Sequence, residues 1–229
     1  MKVNKVSEHI WSLKTWIIIP IHVWVVVDED GVTLVDAGIS MMAKGIMNFI
    51  KELGAGPLQR ILLTHGHSDH VGAVKTILAD TKVPVYAHQT EIPYMEGDLP
   101  YPRRKKAEQT VPKQLIQALQ EVEQGSLNSI AGVRPYLTSG HSPGHVVYYH
   151  EKDKVLLAGD LFTSKKGKLH QPIPMFTANM NEAVRSSSIV RKLKPIKLEV
   201  CHGYSVFHPA DQLEEYIQKM EKKLLQGKG

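Results

Sequence analysis

Cysteine is all but missing from this chain: one residue, Cys201, in 229. A lone thiol excludes an internal disulfide, and a chain without disulfides fits a reducing, cytoplasmic compartment. No run of about 20 apolar residues, the length that spans a bilayer, is present. The best candidate, residues 16–27, is interrupted by Pro20 and His22 and reads as buried β-structure. The first residues lack the basic start, apolar stretch and small-residue cleavage site of a secretory leader. No Gly/Ser-rich or low-complexity tract divides the sequence, so a single domain over 1–229 is expected. Charge of one sign is not in excess either: 28 Lys and Arg stand against 23 Asp and Glu, a net +5. Apart from the run Arg103-Arg-Lys-Lys106 the cations are dispersed, which fits a solvated surface rather than a nucleic-acid-binding stripe.

Hydrophobic residues make up 42% of the chain, enough for a substantial core in a chain of this length. Residues 6–13, 17–27, 32–35, 61–64, 83–87, 133–138, 146–149, 155–158 and 198–201 read as strands. Residues 41–53 (capped by Ser40), 71–79, 113–123, 181–193 and 212–225 have helical spacing. Strands alternating with helices indicate an α/β fold. Residues 91–112 carry prolines and charges without periodicity. The region 91–130 reads as a lid or a surface excursion, and an apolar face there would suit a homodimer.

Histidine is abundant, with 12 residues, and three of them fall in Thr64-His-Gly-His-Ser-Asp-His70, directly after an apolar strand. Imidazole nitrogen and carboxylate oxygen are ligands for zinc and similar divalent ions, and a loop at a strand end lets them converge. Further ligand-type residues stand where other strands meet loops: Gly140-His-Ser-Pro-Gly-His145, Leu156-Leu-Ala-Gly-Asp160 and Val200-Cys-His202-Gly.

Together these motifs resemble the metallo-β-lactamase superfamily, from Asp36-Ala-Gly38 through His202. The resemblance implies a four-layer αβ/βα sandwich with two divalent metal ions at one edge of its sheets. Zinc is the default metal, with manganese, iron and cobalt as alternatives. It assigns His65, His67 and His145 to one ion, Asp69, His70 and His202 to the other, Asp160 as the bridging carboxylate, and Asp36 as a carboxylate that orients the metal-binding loop. It further implies hydrolysis by a metal-bridging hydroxide, with Asp69 also able to shuttle the proton.

The bridging Asp160 disfavours ordinary β-lactamases. It is kept in glyoxalase II-like thioesterases and quorum-quenching lactonases, so the expected substrate is a small ester, lactone or thioester. A phosphodiesterase or ribonuclease and a mono-iron persulfide dioxygenase are the alternatives. Thr163 occupies the position of the lactonase tyrosine, leaving Tyr148, Tyr149 and Tyr204 as substitutes. Only one helix follows His202, which argues against a glutathione-binding domain.

The other candidates receive plainer readings. His141 is taken as a turn residue, because the family pattern is read as assigning metal binding to the last histidine of that motif. His22 is read as a core or rim histidine and Cys201 as a small core residue. Lys165, Lys166 and Lys168 are read as solvated. His170, Met175 and Phe176 are candidates to line the pocket.

Overall fold

The computed structural model describes residues 1–123 and 126–227. Positions 124 and 125 of the 91–130 excursion, and 228 and 229, lie outside the described residues. The first half builds a seven-stranded sheet whose spatial order follows the chain: β1 (Lys2–Lys5), β2 (Ile10–Trp16), β3 (Pro20–Asp28), β4 (Gly31–Val35), β5 (Leu58–Leu62), β6 (Val85–Ala87) and β7 (Ile116–Ala118). The first four strands pair antiparallel and the rest parallel. The helices α1 (Ala43–Leu53), α2 (Ser68–Val71), α3 (Val74–Asp80) and α4 (Ile92–Met95) fall in its connections. Helix α1 buries Ala43, Ile46 and Ile50, an i, i+3, i+7 stripe, and ends at Gly54 in the left-handed conformation (φ 66°).

A small ribbon, β8 (Glu121–Glu123) with β9 (Ser126–Leu127), leads into a second sheet. That sheet contains β10 (Val133–Leu137), β11 (Val146–His150) and β12 (Val155–Leu157), the side hairpin β13 (Thr163–Lys165) and β14 (Lys168–His170) being a separate ribbon, and it is completed by β15 (Lys197–Glu199) and β16 (Val206–Phe207). The helices α5 (Met180–Ser186), α6 (Ile189–Leu193) and α7 (Ala210–Leu225) belong to this half.

The alternation of side chains along a strand shows how the layers stack. Val146 and Tyr148 of β11, with Val155 and Leu157 of β12, join the core shared with the first sheet, α1 and α3. Their neighbours Val147, Tyr149, Leu156 and Ala158 join a second core with residues of α5, α6 and α7. The order is therefore helix, sheet, sheet, helix, the expected αβ/βα sandwich. No helix among the described residues is long and apolar enough to cross a membrane.

Several sequence-based expectations are corrected. Residues 113–123 do not form a helix. Gln114 takes φ 61°, which breaks a right-handed helix, and Ile116–Ala118 adds to the open edge of β6 with Val85 opposite Ile116. Burial of Ile116 and Leu119 at that edge overrides the helical spacing, while Val122 is left exposed. Residues 17–19 are not a buried strand but the tip of the β2–β3 hairpin, with Ile18 86% exposed. The stretch 181–193 divides into α5 and α6 at Ser187, whose hydroxyl turns back onto the Val184 carbonyl. Strand β1 is exposed throughout, so no apolar alternation announced it.

Candidate metal centre

Four loops, those after β5, β10, β12 and β15, deliver the ligand-type residues. β4 and β5 run parallel, as do β12 and β15, and their carboxyl ends meet at one edge of the sandwich. Asp36, just past β4, is fully buried with φ 57°, a conformation that costs a non-glycine residue energy and persists only where surroundings impose it. Its carboxylate accepts from the Thr64 N–H and hydroxyl, each at 2.8 Å, and from His70 Nδ1 at 2.7 Å. The expected orienting role of Asp36 thus has a geometric basis: with Nδ1 engaged, His70 presents Nε2.

The loop after β5 carries His65 and His67. Gly66 between them is required by close approach, since a Cβ there would lie 2.3 Å from both Met95 Cγ and the Tyr101 hydroxyl. His65 Nε2 comes within 2.9 Å of His67 Nδ1. The third nitrogen of this group comes from His141, whose Nε2 lies 3.1 Å from His67 Nδ1 and 3.4 Å from Asp160 Oδ2.

The structure therefore reverses the sequence reading of the Gly140–His145 motif. His145 has both nitrogens engaged elsewhere: Nδ1 with the Thr138 hydroxyl at 2.9 Å, and Nε2 accepting from the Asp160 N–H at 3.1 Å. It positions Asp160 instead of facing His65 and His67. A turn brings His141 across to the first loop and directs His145 behind it, a difference that residue type cannot reveal.

The second group is Asp69, His70 and His202, joined by Asp160. His202 Nε2 is 3.1 Å from Asp69 Oδ2 and 3.4 Å from Asp160 Oδ2, while His70 Nε2 is 3.5 Å from Asp160 Oδ1. His202 is oriented by Nδ1–H donating to the Pro20 carbonyl at 2.8 Å. The Cys201 sulfur lies within 4.8 Å of ligand atoms of Asp69, His70 and His202 while the residue packs into the core.

These residues fit metal ions. In the first group nitrogens face nitrogens, which is unfavourable unless a cation or a proton lies between them. In the second, His70 Nε2 and Asp160 Oδ1 are buried without a hydrogen-bond partner, a costly state that a cation relieves. Nitrogen and carboxylate donors of this kind suit zinc, manganese, iron or cobalt.

Burial pushes His65 and His141 well below the usual imidazole range, His67 to about 4 and His145 to about 3. These rings are neutral near pH 7, with a lone pair available. Burial also opposes charge on His70 and His202, but adjacent groups outweigh it and raise both. Cys201, Asp36 and Asp160 act on His70, and Asp160 chiefly on His202. Burial would raise Asp160 and Asp69 too, yet neighbouring imidazoles hold Asp160 well below the carboxylate range and Asp69 at about 2.

Glu91, unread in the sequence, ties the two histidine loops together. Its fully buried carboxylate accepts four hydrogen bonds: from the Gly66 N–H at 3.0 Å and Tyr101 hydroxyl at 2.8 Å on Oε1, and from the Ser142 hydroxyl at 2.8 Å and Gly144 N–H at 2.7 Å on Oε2. Burial pushes its pKa up and the four donors pull it back. Nothing in the local sequence distinguishes Glu91 from a solvated loop acid.

The remaining candidates separate clearly. Phe176 lines the cavity above Asp69, Asp160 and His202, and both Met175 and Phe176 line the recess beside His141. His170 and the three hairpin lysines line neither. His22 is a buried rim histidine, Nδ1 to the Ser12 hydroxyl at 2.7 Å. The Tyr148 hydroxyl donates to Leu63 O and that of Tyr149 reaches toward Leu193 O. Tyr204 is exposed, so no tyrosine lines the main cavity among the described residues.

Comparison with known proteins identifies the relatives of this chain. A probable metallo-hydrolase of Bacillus subtilis, YybB, is 38% identical over 95% of this chain and 98% of its own length. A hydroxyacylglutathione hydrolase of Bdellovibrio bacteriovorus is 30% identical over 65% of this chain and 50% of its own. The fold of a metallo-β-lactamase from Pontibacter korlensis superposes with a TM-score of 0.74 at 18% identity, covering 96% of this chain and 98% of that one. The model of the metallo-β-lactamase superfamily matches residues 17–202, and the chain belongs to that superfamily.

Proposed function

We propose that this metal-dependent hydrolase cleaves a small carboxylic ester, lactone or thioester at a centre of two divalent metal ions, with zinc as the first candidate. The observation that carries the reading is two ligand groups, His65/His67/His141 and Asp69/His70/His202, sharing Asp160 beneath a cavity of about 220 Å3. That space suits a small molecule rather than a folded nucleic acid. Likeness to a hydroxyacylglutathione hydrolase supports the acyl-transfer class, and the shared Asp160 favours a dinuclear centre over a single iron.

When bound, the ions supply Lewis acidity and a water acidic enough to ionise near neutral pH. The chain's own groups do the rest. Asp36 and the Pro20 carbonyl fix the rings of His70 and His202. His145 fixes the backbone of Asp160, and Glu91 holds the His65–His67 loop against the His141 loop. Asp69 is partly exposed, with Oδ2 3.1 Å from His202 Nε2, so its ionised carboxylate faces the cavity in which the substrate would sit.

The test is metal content per chain followed by turnover of an ester, lactone, thioester and phosphodiester panel. About two ions with carbonyl hydrolysis, both lost in Asp160→Ala, is the expected result. One iron per chain, or cleavage of the phosphodiester alone, overturns it.

A further inference from the structure

The cavity over Asp69, Asp160 and His202 combines apolar and charged lining residues. Ile19, Ile173 and Phe176 are its apolar lining residues, and Arg104 is the one arginine or lysine among the described lining residues. Arg104, Phe176 and His67 also line the small recess beside His141. Arg104 thus stands where the two spaces meet.

Its placement is built rather than incidental. The Arg104 guanidinium lies 5.7 Å from the Tyr101 ring centroid, over its face. Tyr101 is anchored through its hydroxyl to Glu91, which holds Gly66 in the metal loop. The adjacent Arg103 is committed: its Nη1 donates to the carbonyls of Pro174 and Thr177, both at 2.9 Å, pinning this segment to the wall that carries Phe176. Among the described residues Arg104 has one ionic partner, Glu108 at 3.3 Å, and the pair is exposed on both sides, 39% and 64%. Such a pair contributes little and is readily exchanged, leaving a planar fork suited to an incoming oxyanion.

Further apolar side chains near these lining residues in sequence are exposed. Ile17 and Ile18 at the β2–β3 tip are 53% and 86% exposed, and Met175 is 73% exposed.

Resting on the hydrolase reading above, we propose that the substrate is an acyl compound that carries both an oxyanion, carboxylate or phosphate, and an apolar group. Arg104 holds the oxyanion, and Ile19, Ile173 and Phe176 receive the apolar group. Arg104 is a specificity residue: it selects the anionic substrate and leaves the metal ligands untouched.

The test uses metal-loaded full-length protein and a binding readout that needs no turnover. 3-Mercaptopropanoate, 2-mercaptoethyl phosphate and neutral 3-mercaptopropanol are titrated calorimetrically, the thiol serving as a common metal-directed anchor. At least one anionic thiol is expected to bind about tenfold more tightly than the alcohol, the scale of a hydrogen bond to a charged group. Whichever anion is preferred identifies the source. Arg104→Gln should abolish the preference, Arg104→Lys should keep part of it, and both should retain wild-type metal content. No preference in the wild type, or an undiminished one in Arg104→Gln, overturns the proposal. In a parallel arm, Arg104→Gln should raise KM for a carboxylate-bearing ester with little change for its neutral isostere. Absence of all carbonyl turnover together with an Arg104-dependent thiol preference would sink the hydrolase reading and leave the anion site standing.

Discussion

Two histidine–carboxylate clusters lie at opposite ends of the sandwich and differ in one respect. Beyond the far ends of β11 and β12, His9, His150 and Asp153 come together from distant parts of the chain. There the polar atoms pair as donor and acceptor: His9 Nδ1 with Asp153 Oδ1 at 2.8 Å, the His9 N–H with Asp153 Oδ2 at 3.0 Å, and the Asp153 N–H with His150 Nδ1 at 3.2 Å. At the other end nitrogen faces nitrogen, and among the described residues His70 Nε2 and Asp160 Oδ1 have no hydrogen-bond partner. The first cluster is complete as it stands and staples the β1–β2 turn to the β11–β12 turn. The second leaves donors that a cation would satisfy. Residue type is the same in both, so the satisfaction of individual atoms separates a staple from a metal centre.

The largest effects should come from the unsatisfied end. Asp160→Ala should reduce turnover to background and lower metal content below two per chain, because Asp160 touches both groups. His141→Ala should likewise lose metal and activity. His145→Ala, which removes a positioning contact, should weaken metal binding by roughly 10–100-fold. Equal metal loss in the two histidine variants would break the distinction drawn between them.

Glu91→Gln should come next. Its amide group would face two of the four donors, and a loss of roughly 10–100-fold in metal affinity is expected, measured by competition with a chelator. Unchanged affinity would show that the two loops hold together without the carboxylate.

Protons compete with metal at His70 and His202, whose pKa values are raised in the metal-free protein. Metal uptake should therefore release protons, and affinity should rise with pH across the neutral range. Calorimetry in buffers of different ionisation enthalpy reads the proton count. Zero protons released at pH 7 would contradict the raised values.

The smallest effect belongs to the satisfied end. His9→Ala should cost about 1.5–3 kcal/mol of stability, the scale of a hydrogen bond to a charged partner, with metal content unchanged. Denaturant melts and metal analysis on the same sample check both halves. Loss of metal from the catalytic end would mean that the two ends are coupled.

Much of this was legible in the sequence. Long apolar-periodic segments such as α1 and α7 declared themselves, and the loop from His65 to His70 declared its chemistry, because ligands within six residues of one another need no tertiary information to be recognised. Failures followed where a neighbour decided. Residues 113–123 have helical spacing, but the open edge of β6 recruited Ile116–Ala118 into the sheet. Glu91 looks like any loop acid until four donors from Gly66, Tyr101, Ser142 and Gly144 close around it.

The sequence alone determined the fold class, the family and the set of groups from which a metal centre could be made, since periodicity and ligand type are local properties of the chain. Only the tertiary structure decided that His141 rather than His145 faces His65 and His67, that Glu91 joins the loops, and that Arg104 stands at the cavity. Those outcomes depend on the direction of individual side chains, set by contacts between residues far apart in sequence.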